Sequence, residues 1–221
     1  MIPDNMLFPI LVLSVLLNVI LLTLIGYKLY RRYFMHGNRN FPRAEVFSKL
    51  PPNTGEIIFL GDSLTDHFEV SELFKDAGII NRGIAGNTTS DIIERLAEVT
   101  SRKPSKVFMM IGVNDFTYGV KVDQILENYR QIIQSIKKES PHTKIYFQTI
   151  LPYRVRDKKI QRINPRLEAL CKSELIFYID LYSAFEQGGA LHKKYDCGDG
   201  LHLNGAGYLL WRDLISSYVK E

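Results

Sequence analysis

Four short stretches of this 221-residue chain carry side chains whose types and spacing suit shared chemistry. "IIFLGDSLTDHF", residues 57–68, places Ser63 behind an apolar run, Ile57 to Leu60, and a Gly61-Asp62 step. "NRGIAGNTTS" carries Gly83 and Gly86, "IGVND" carries Asn114 and Asp115, and "DGLHLNGAGY" carries Asp199 and His202. A serine hydroxyl is a poor nucleophile at neutral pH and needs a base to take its proton as it attacks. His202 is the candidate base, because imidazole titrates near neutrality and can hand the proton on to a leaving group. A carboxylate on the other ring nitrogen fixes the tautomer and stabilises the imidazolium, and Asp199 stands three residues upstream. The tetrahedral oxyanion would need donors, which the Ser63 and Gly86 N–H groups and the Asn114 amide can supply. Together these are the parts acyl transfer requires.

Each part alone has an ordinary explanation. Gly83 and Gly86 suit a tight turn, Asn114-Asp115 suits a cap, Asp199-Gly200 is a common turn dipeptide, and an isolated histidine is usually structural. "GIAGNT" is not G-x-G-x-x-G and lacks the Gly-Lys-Ser/Thr of a phosphate loop. What separates the readings is where the elements place the four stretches.

From residue 56 onward, strand-like runs alternate with helical patterns. The strand candidates are 56–61, 79–83, 106–112, 144–151 and 175–181, most of them continuously apolar, as parallel strands buried on both faces must be. Helix candidates lie around 66–77, 88–99, 122–139, 158–172 and 205–219. In 122–139, Val122, Ile125, Leu126, Tyr129, Ile132, Ile133 and Ile136 recur at three- and four-residue spacing, and Ser140-Pro141 ends the run. This alternation predicts a three-layer α/β/α sandwich around a parallel five-stranded sheet. The carboxyl ends of parallel strands share one edge, where ligands bind in open α/β sheets. Three of the stretches follow strands and the fourth precedes the last helix, so all four converge.

In this order the stretches, read as "FLGDSLT", "RGIAGNTT", "IGVND" and "DGLHLNGAGY", resemble the four blocks of the SGNH (GDSL-type) hydrolase superfamily over roughly residues 55–220. The resemblance implies a flavodoxin-like fold, no metal or organic cofactor, and hydrolysis of esters or thioesters. By matched position, Ser63 would be the nucleophile, Gly86 and Asn114 oxyanion partners beside the Ser63 N–H, and Asp199 and His202 the rest of a triad. The pattern is most similar to the small bacterial-type branch with acetylhydrolases and lysophospholipase-like esterases.

The N-terminus has a different character. Residues 7–27 contain no charge and as a helix would span roughly 32 Å, near the hydrocarbon thickness of a bilayer. A cleaved signal peptide would need a basic start and a small-residue cleavage site; Met1–Met6 carries Asp4 and no Lys or Arg, and no Ala-x-Ala follows. The expected organisation is an anchor with a basic flank over 1–35, a linker over 36–54 and the hydrolase domain over 55–221. Lys28, Arg31, Arg32, Arg39 and Arg43 all follow the apolar segment, which predicts a cytoplasmic domain, with the periplasmic or extracellular face as the alternative.

A net charge of +4 gives no reason to expect nucleic acid, and Cys171 and Cys197 read as two free thiols. Asp62 and Asp115 are expected to brace loops. Asp66 and His67 flank the site, and Tyr118, Tyr153, Arg154 and Arg156 are expected near its pocket. The expectation is a membrane-anchored serine esterase that cleaves acetyl or short acyl esters of a small molecule, lipid or glycan. Two alternatives remain open: an acyltransferase using the same triad, and a catalytically silent glycan- or lipid-binding domain, whose sign would be a broken triad. Oligomeric state is not legible.

Overall fold

Alternate residues of the strands turn to opposite faces, and both faces are buried. The computed structural model describes residues 4–36, 41–76, 78–153 and 157–221, so Arg39, Arg154 and Arg156 lie outside the described residues. It divides the chain into two compact units, Met1–Phe41 and Pro42–Glu221.

In the second unit, β1 (Ile57–Gly61), β2 (Ile79–Gly83), β3 (Lys106–Met110), β4 (Lys144–Gln148) and β5 (Phe177–Ile179) form one sheet in the order β2-β1-β3-β4-β5. Every pairing is parallel, as predicted. Ile58, Leu60, Val107, Met109, Ile145 and Phe147 face α5 (Thr89–Thr100), α7 (Val122–Glu139) and α8 (Asp157–Ser173). Phe59, Phe108, Met110 and Tyr146 share the opposite core with Phe68, Trp211, Ile215 and Val219, the last three from α10 (Gly205–Lys220). Period-2 strands meeting period-3.6 helices on both sides give the three-layer sandwich.

On the α10 side, register stacks aromatic rings across four strands. Phe59 opposes Phe108, Phe108 opposes Tyr146, and Tyr146 opposes Phe177. Their rings stack with centroids 4.9, 4.6 and 4.6 Å apart. Such cross-strand aromatic pairs stabilise a sheet beyond the area they bury.

Three differences from the sequence reading have physical causes. The strands end earlier than their apolar runs because Ile111, Ile150 and Leu151 are buried in connections, without continuing the ladder. The segment 66–77 is not one helix: α3 (Ser63–Asp66) and α4 (Val70–Phe74) flank Phe68, which turns into the core and stacks 4.5 Å from Trp211. Within 36–54, residues Phe41–Lys49 form a helix, α2, whose Phe47 is buried. Two short helices complete the order, α6 (Val113–Thr117) and α9 (Tyr182–Phe185).

In the first unit, α1 (Asp4–His36) contains an apolar stretch, Pro9–Tyr27, of 19 residues with mean hydropathy 2.6. It is long and apolar enough to cross a membrane, a property that signal sequences near an N-terminus share. Two of its polar side chains are satisfied within the helix: Asn18 Nδ2 donates to Ser14 O and Thr23 Oγ1 to Val19 O.

Candidate active site

Ser63 sits at the first turn of α3, immediately beyond β1, with Asp62 as its N-cap accepting from Leu64 N at 3.1 Å. The strand-to-helix change is abrupt because two glycines let backbones touch. A Cβ on Gly61 would lie 2.4 Å from Met110 O, and one on Gly83 would lie 2.1 Å from Asp66 N. Any side chain there would push α3 off the sheet and carry Ser63 with it.

His202 reaches Ser63 from far along the chain: its Nε2 lies 2.8 Å from Ser63 Oγ, across 139 residues of sequence. Its Nδ1 lies 2.6 Å from Asp199 Oδ2, while Asp199 Oδ1 accepts from the backbone N–H of His202 at 2.8 Å and of Leu201 at 2.9 Å. Burial pushes the Asp199 carboxyl up, but the His202 ring and these two N–H groups outweigh it and hold it well below the usual carboxylate range. Asp199 is therefore a fixed anion, and the Nδ1 proton is held toward it, leaving Nε2 to accept from serine. The loop is pinned at its far end by Asn204, which caps α10 and donates to Lys194 O and Asp196 O. Tyr208 Oη, one turn into α10, donates to Leu64 O at 3.1 Å and ties this helix to α3.

Gly86 lies in the turn after β2. Asn87 N donates to Ile84 O at 3.1 Å, and Gly86, third of the four residues, has φ +82°, as a type II turn requires. Asn114, in α6 beyond β3, donates from Nδ2 to Asn87 O at 3.0 Å, which fixes the plane of its amide beside that turn. The four stretches thus meet at one sheet edge. Ser63, His202 and Asp199 are joined directly, and Asn114 is joined to the Gly86 turn.

Two buried carboxylates stand behind the site, and both brace loops as their sequence context implies. Asp115 accepts from Thr89 N and Oγ1, and burial still raises its pKa to about 6. Burial raises that of Asp62 to about 7, against the Leu64 N–H bond and the nearby His202. A carboxyl with a higher pKa folded than unfolded holds its proton more tightly in the folded state. The stability it lends is present at low pH and is lost as the pH rises from its ordinary value of 3.8 toward about 7. The Tm of Asp62→Asn relative to wild type is therefore expected to rise over that window and to level off above it. A difference independent of pH would mean that Asp62 ionises as freely folded as unfolded.

Arg95 braces the candidate site, and the sequence reading missed it. It donates from Nε to Asn87 Oδ1 at 2.8 Å and from Nη2 to Arg82 O at 2.8 Å and Gly61 O at 3.3 Å. One largely buried guanidinium thus holds the ends of β1 and β2 and the Gly86 turn together. Burial lowers its pKa to about 10, despite Glu98 beside it, so the charge persists at neutral pH. Its sequence signal is an arginine three residues after Ile92 and four before Val99, in the apolar stripe of α5. Asp66, expected to flank the site, accepts from Ala85 N at 3.2 Å, inside the same turn. His67 lies at the rim, its ring 5.9 Å from that of His202. Tyr153 packs against the core of the sheet's α5–α7–α8 face.

Asp196, Cys197 and Asp199 bring three ligand-type atoms within 4.8 Å of one another. Asp196 Oδ1 already accepts from Gly198 N and Gly200 N, and Asp199 is engaged by His202. This cluster is a hydrogen-bonded turn that shapes the His202 loop.

The chain matches the GDSL-like Lipase/Acylhydrolase family over residues 59–210. It is 27% identical over 164 residues to the platelet-activating factor acetylhydrolase IB subunit alpha2 of Homo sapiens, 69% of this chain and 71% of that protein. Among solved structures, it resembles a GDSL-like lipase from Bacteroides thetaiotaomicron with a TM-score of 0.72 at 25% identity, covering 86% of this chain and 97% of that one. A Streptococcus pneumoniae structure described as a platelet activating factor aligns with a TM-score of 0.70 at 28% identity, over 91% of this chain and 99% of that one. Because the family match runs from within β1 into α10, it takes in the sheet and all four stretches that meet at its edge. The chain belongs to the GDSL-like lipase/acylhydrolase family, and it is a carboxylic ester hydrolase.

Proposed function

We propose that the protein is a membrane-anchored serine esterase that removes acetyl or short acyl groups from a small-molecule, lipid or glycan ester. The observation that carries this reading is the continuous Ser63–His202–Asp199 relay, with links of 2.8 and 2.6 Å. Ser63 Oγ bonds to the ester carbonyl carbon as its proton passes to His202 Nε2. The oxyanion is held by the Ser63 and Gly86 N–H groups and the Asn114 amide. Collapse expels the alcohol, which takes the proton from Nε2, and leaves an acyl-serine. Water then attacks, giving its proton to Nε2, and release of the acid returns that proton to Ser63 Oγ. The side chain of Asp199 is 49% exposed and that of His202 27%, so water can approach the histidine side of the relay, as hydrolysis requires. The preference for acetyl draws on the human relative, which is named an acetylhydrolase.

The anchor reading rests on Pro9–Tyr27, whose 19 residues rise about 28 Å as a helix. The basic residues Lys28, Arg31 and Arg32 that follow place the domain on the cytoplasmic side in this reading. The test of function uses full-length protein in detergent with p-nitrophenyl esters from acetate to laurate. An optimum at acetate to butyrate supports short-acyl hydrolysis; rates that climb steadily toward laurate overturn it. A C-terminal reporter active only outside the cytoplasm tests the orientation, and its activity would reverse the assignment.

A further inference from the structure

Helix α2 lies outside the four sequence stretches that make up the site, yet its Arg43 reaches two of them. Arg43 Nε donates to Gly83 O at 2.9 Å, and Nη2 pairs with Asp66 Oδ1 at 3.1 Å. The other oxygen of Asp66 accepts from Ala85 N. The guanidinium and the carboxylate thus bracket Ile84, holding the residues on either side of it just ahead of Gly86. Asp66 is also the last residue of α3, whose first residue is Ser63. One arginine on α2 therefore ties the helix that presents Ser63 to the turn that presents Gly86.

Arg43 is itself held in place. Its guanidinium carbon lies 5.0 Å from the centroid of the Phe47 ring, one turn further along α2, and that of Arg82 lies 4.4 Å from the same centroid. Phe47 is buried, and Arg82 precedes Gly83 in β2 and pairs with Glu98. The planar guanidinium forks to two acceptors at fixed angles, which a lysine cannot reproduce. The side chain of Arg43 is 42% exposed, so its ion pair with Asp66 contributes little to stability. Its effect is on geometry.

We propose that Arg43 is a positioning residue for ester hydrolysis: acting through Asp66, it sets the Gly86 turn against the Ser63 helix. The segment from Pro42 onward is then part of the working domain. This inference rests on the roles given above to Ser63 and Gly86. Preorganised donors lose their effect when displaced by a fraction of a bond length, and a misplacement of about 1 Å costs up to about 100-fold in rate. A loosened turn lowers kcat while leaving the ground-state complex, and so KM, nearly unchanged.

The test uses full-length protein in detergent, with p-nitrophenyl acetate as substrate. Arg43→Gln is expected to lower kcat about tenfold with KM within about twofold and Tm within about 2 °C of wild type. Arg43→Lys, which retains charge but not the fork, is expected to fall in between. Asp66→Asn should match Arg43→Gln, and the double variant should be no slower than either single one, as for residues acting as a unit. Lys49→Gln, which removes a surface pair with Glu45 on the same helix, should behave as wild type. Wild-type kcat in Arg43→Gln, with Ser63→Ala inactive, overturns the positioning role and leaves the serine chemistry standing. Strictly multiplicative losses in the double variant overturn the route through Asp66. A kcat loss that tracks the unfolded fraction and vanishes on cooling makes Arg43 merely structural and also overturns the proposal. Activity in Ser63→Ala would instead remove the reading on which the inference rests.

Discussion

His202→Ala is expected to lower kcat/KM for p-nitrophenyl acetate by about 10⁴- to 10⁶-fold, and Ser63→Ala by as much. The size follows from the proposed mechanism, in which the relay acts as one unit. Without His202, the Ser63 hydroxyl must lose its proton to water as it attacks. Without Ser63, the imidazole has no nucleophile to activate. The double variant is therefore expected to be no slower than either single one, leaving only what binding and the oxyanion donors contribute. Both variants should fold, since the two side chains meet at the partly buried sheet edge and belong to neither apolar core: His202 is 27% exposed. Steady-state kinetics with a folding check by circular dichroism reads this directly. More than about one percent of wild-type activity in folded Ser63→Ala would place the nucleophile elsewhere.

The second large effect is expected at Asn114. Replacing it with alanine should lower kcat about 10²- to 10³-fold with KM little changed, because the oxyanion donor proposed above acts on charge that exists only in the transition state. The surroundings argue for a donor held in advance. The Asn114 amide is bonded to Asn87 O, and the Asn87 side chain accepts from the largely buried Arg95. That chain costs nothing to reorganise when the oxyanion forms. A rise in KM at constant kcat would make Asn114 a ground-state contact instead.

The legible part of the molecule was the part written in local chemistry. Strands buried on both faces must be apolar throughout, and the 3.6-residue stripe of α7 marks a helix at Val122–Glu139, the range found. Ser63, Asn114, Asp199 and His202 stood out because their types suit one reaction and their stretches follow one another in an order a parallel sheet can bring together. What escaped was support acting across the chain. Arg95 binds three segments through backbone and amide oxygens, which any sequence offers at every residue. Arg43 and Phe47 lie in a short polar stretch whose only sign of helix is weak amphipathicity. The strand ends were overread at Ile111, Ile150 and Leu151 because hydropathy reports burial, and burial continues where hydrogen bonding to the neighbouring strand stops.

The stacked rings of Phe59, Phe108, Tyr146 and Phe177 have a bearing on the chemistry although they touch none of it. A slip of one residue between neighbouring strands would move one past the other by about 3.3 Å and turn its aromatic ring to the wrong side of the sheet. The stack thus works as a ratchet with whole-residue teeth. Ser63 hangs from the end of β1 and Asn114 follows β3, so their spacing along the sheet edge is counted in residues and cannot drift by fractions. Fine adjustment of the site, by mutation or by ligand, is left to the loops and their arginine ties, while the sheet either keeps count or fails altogether.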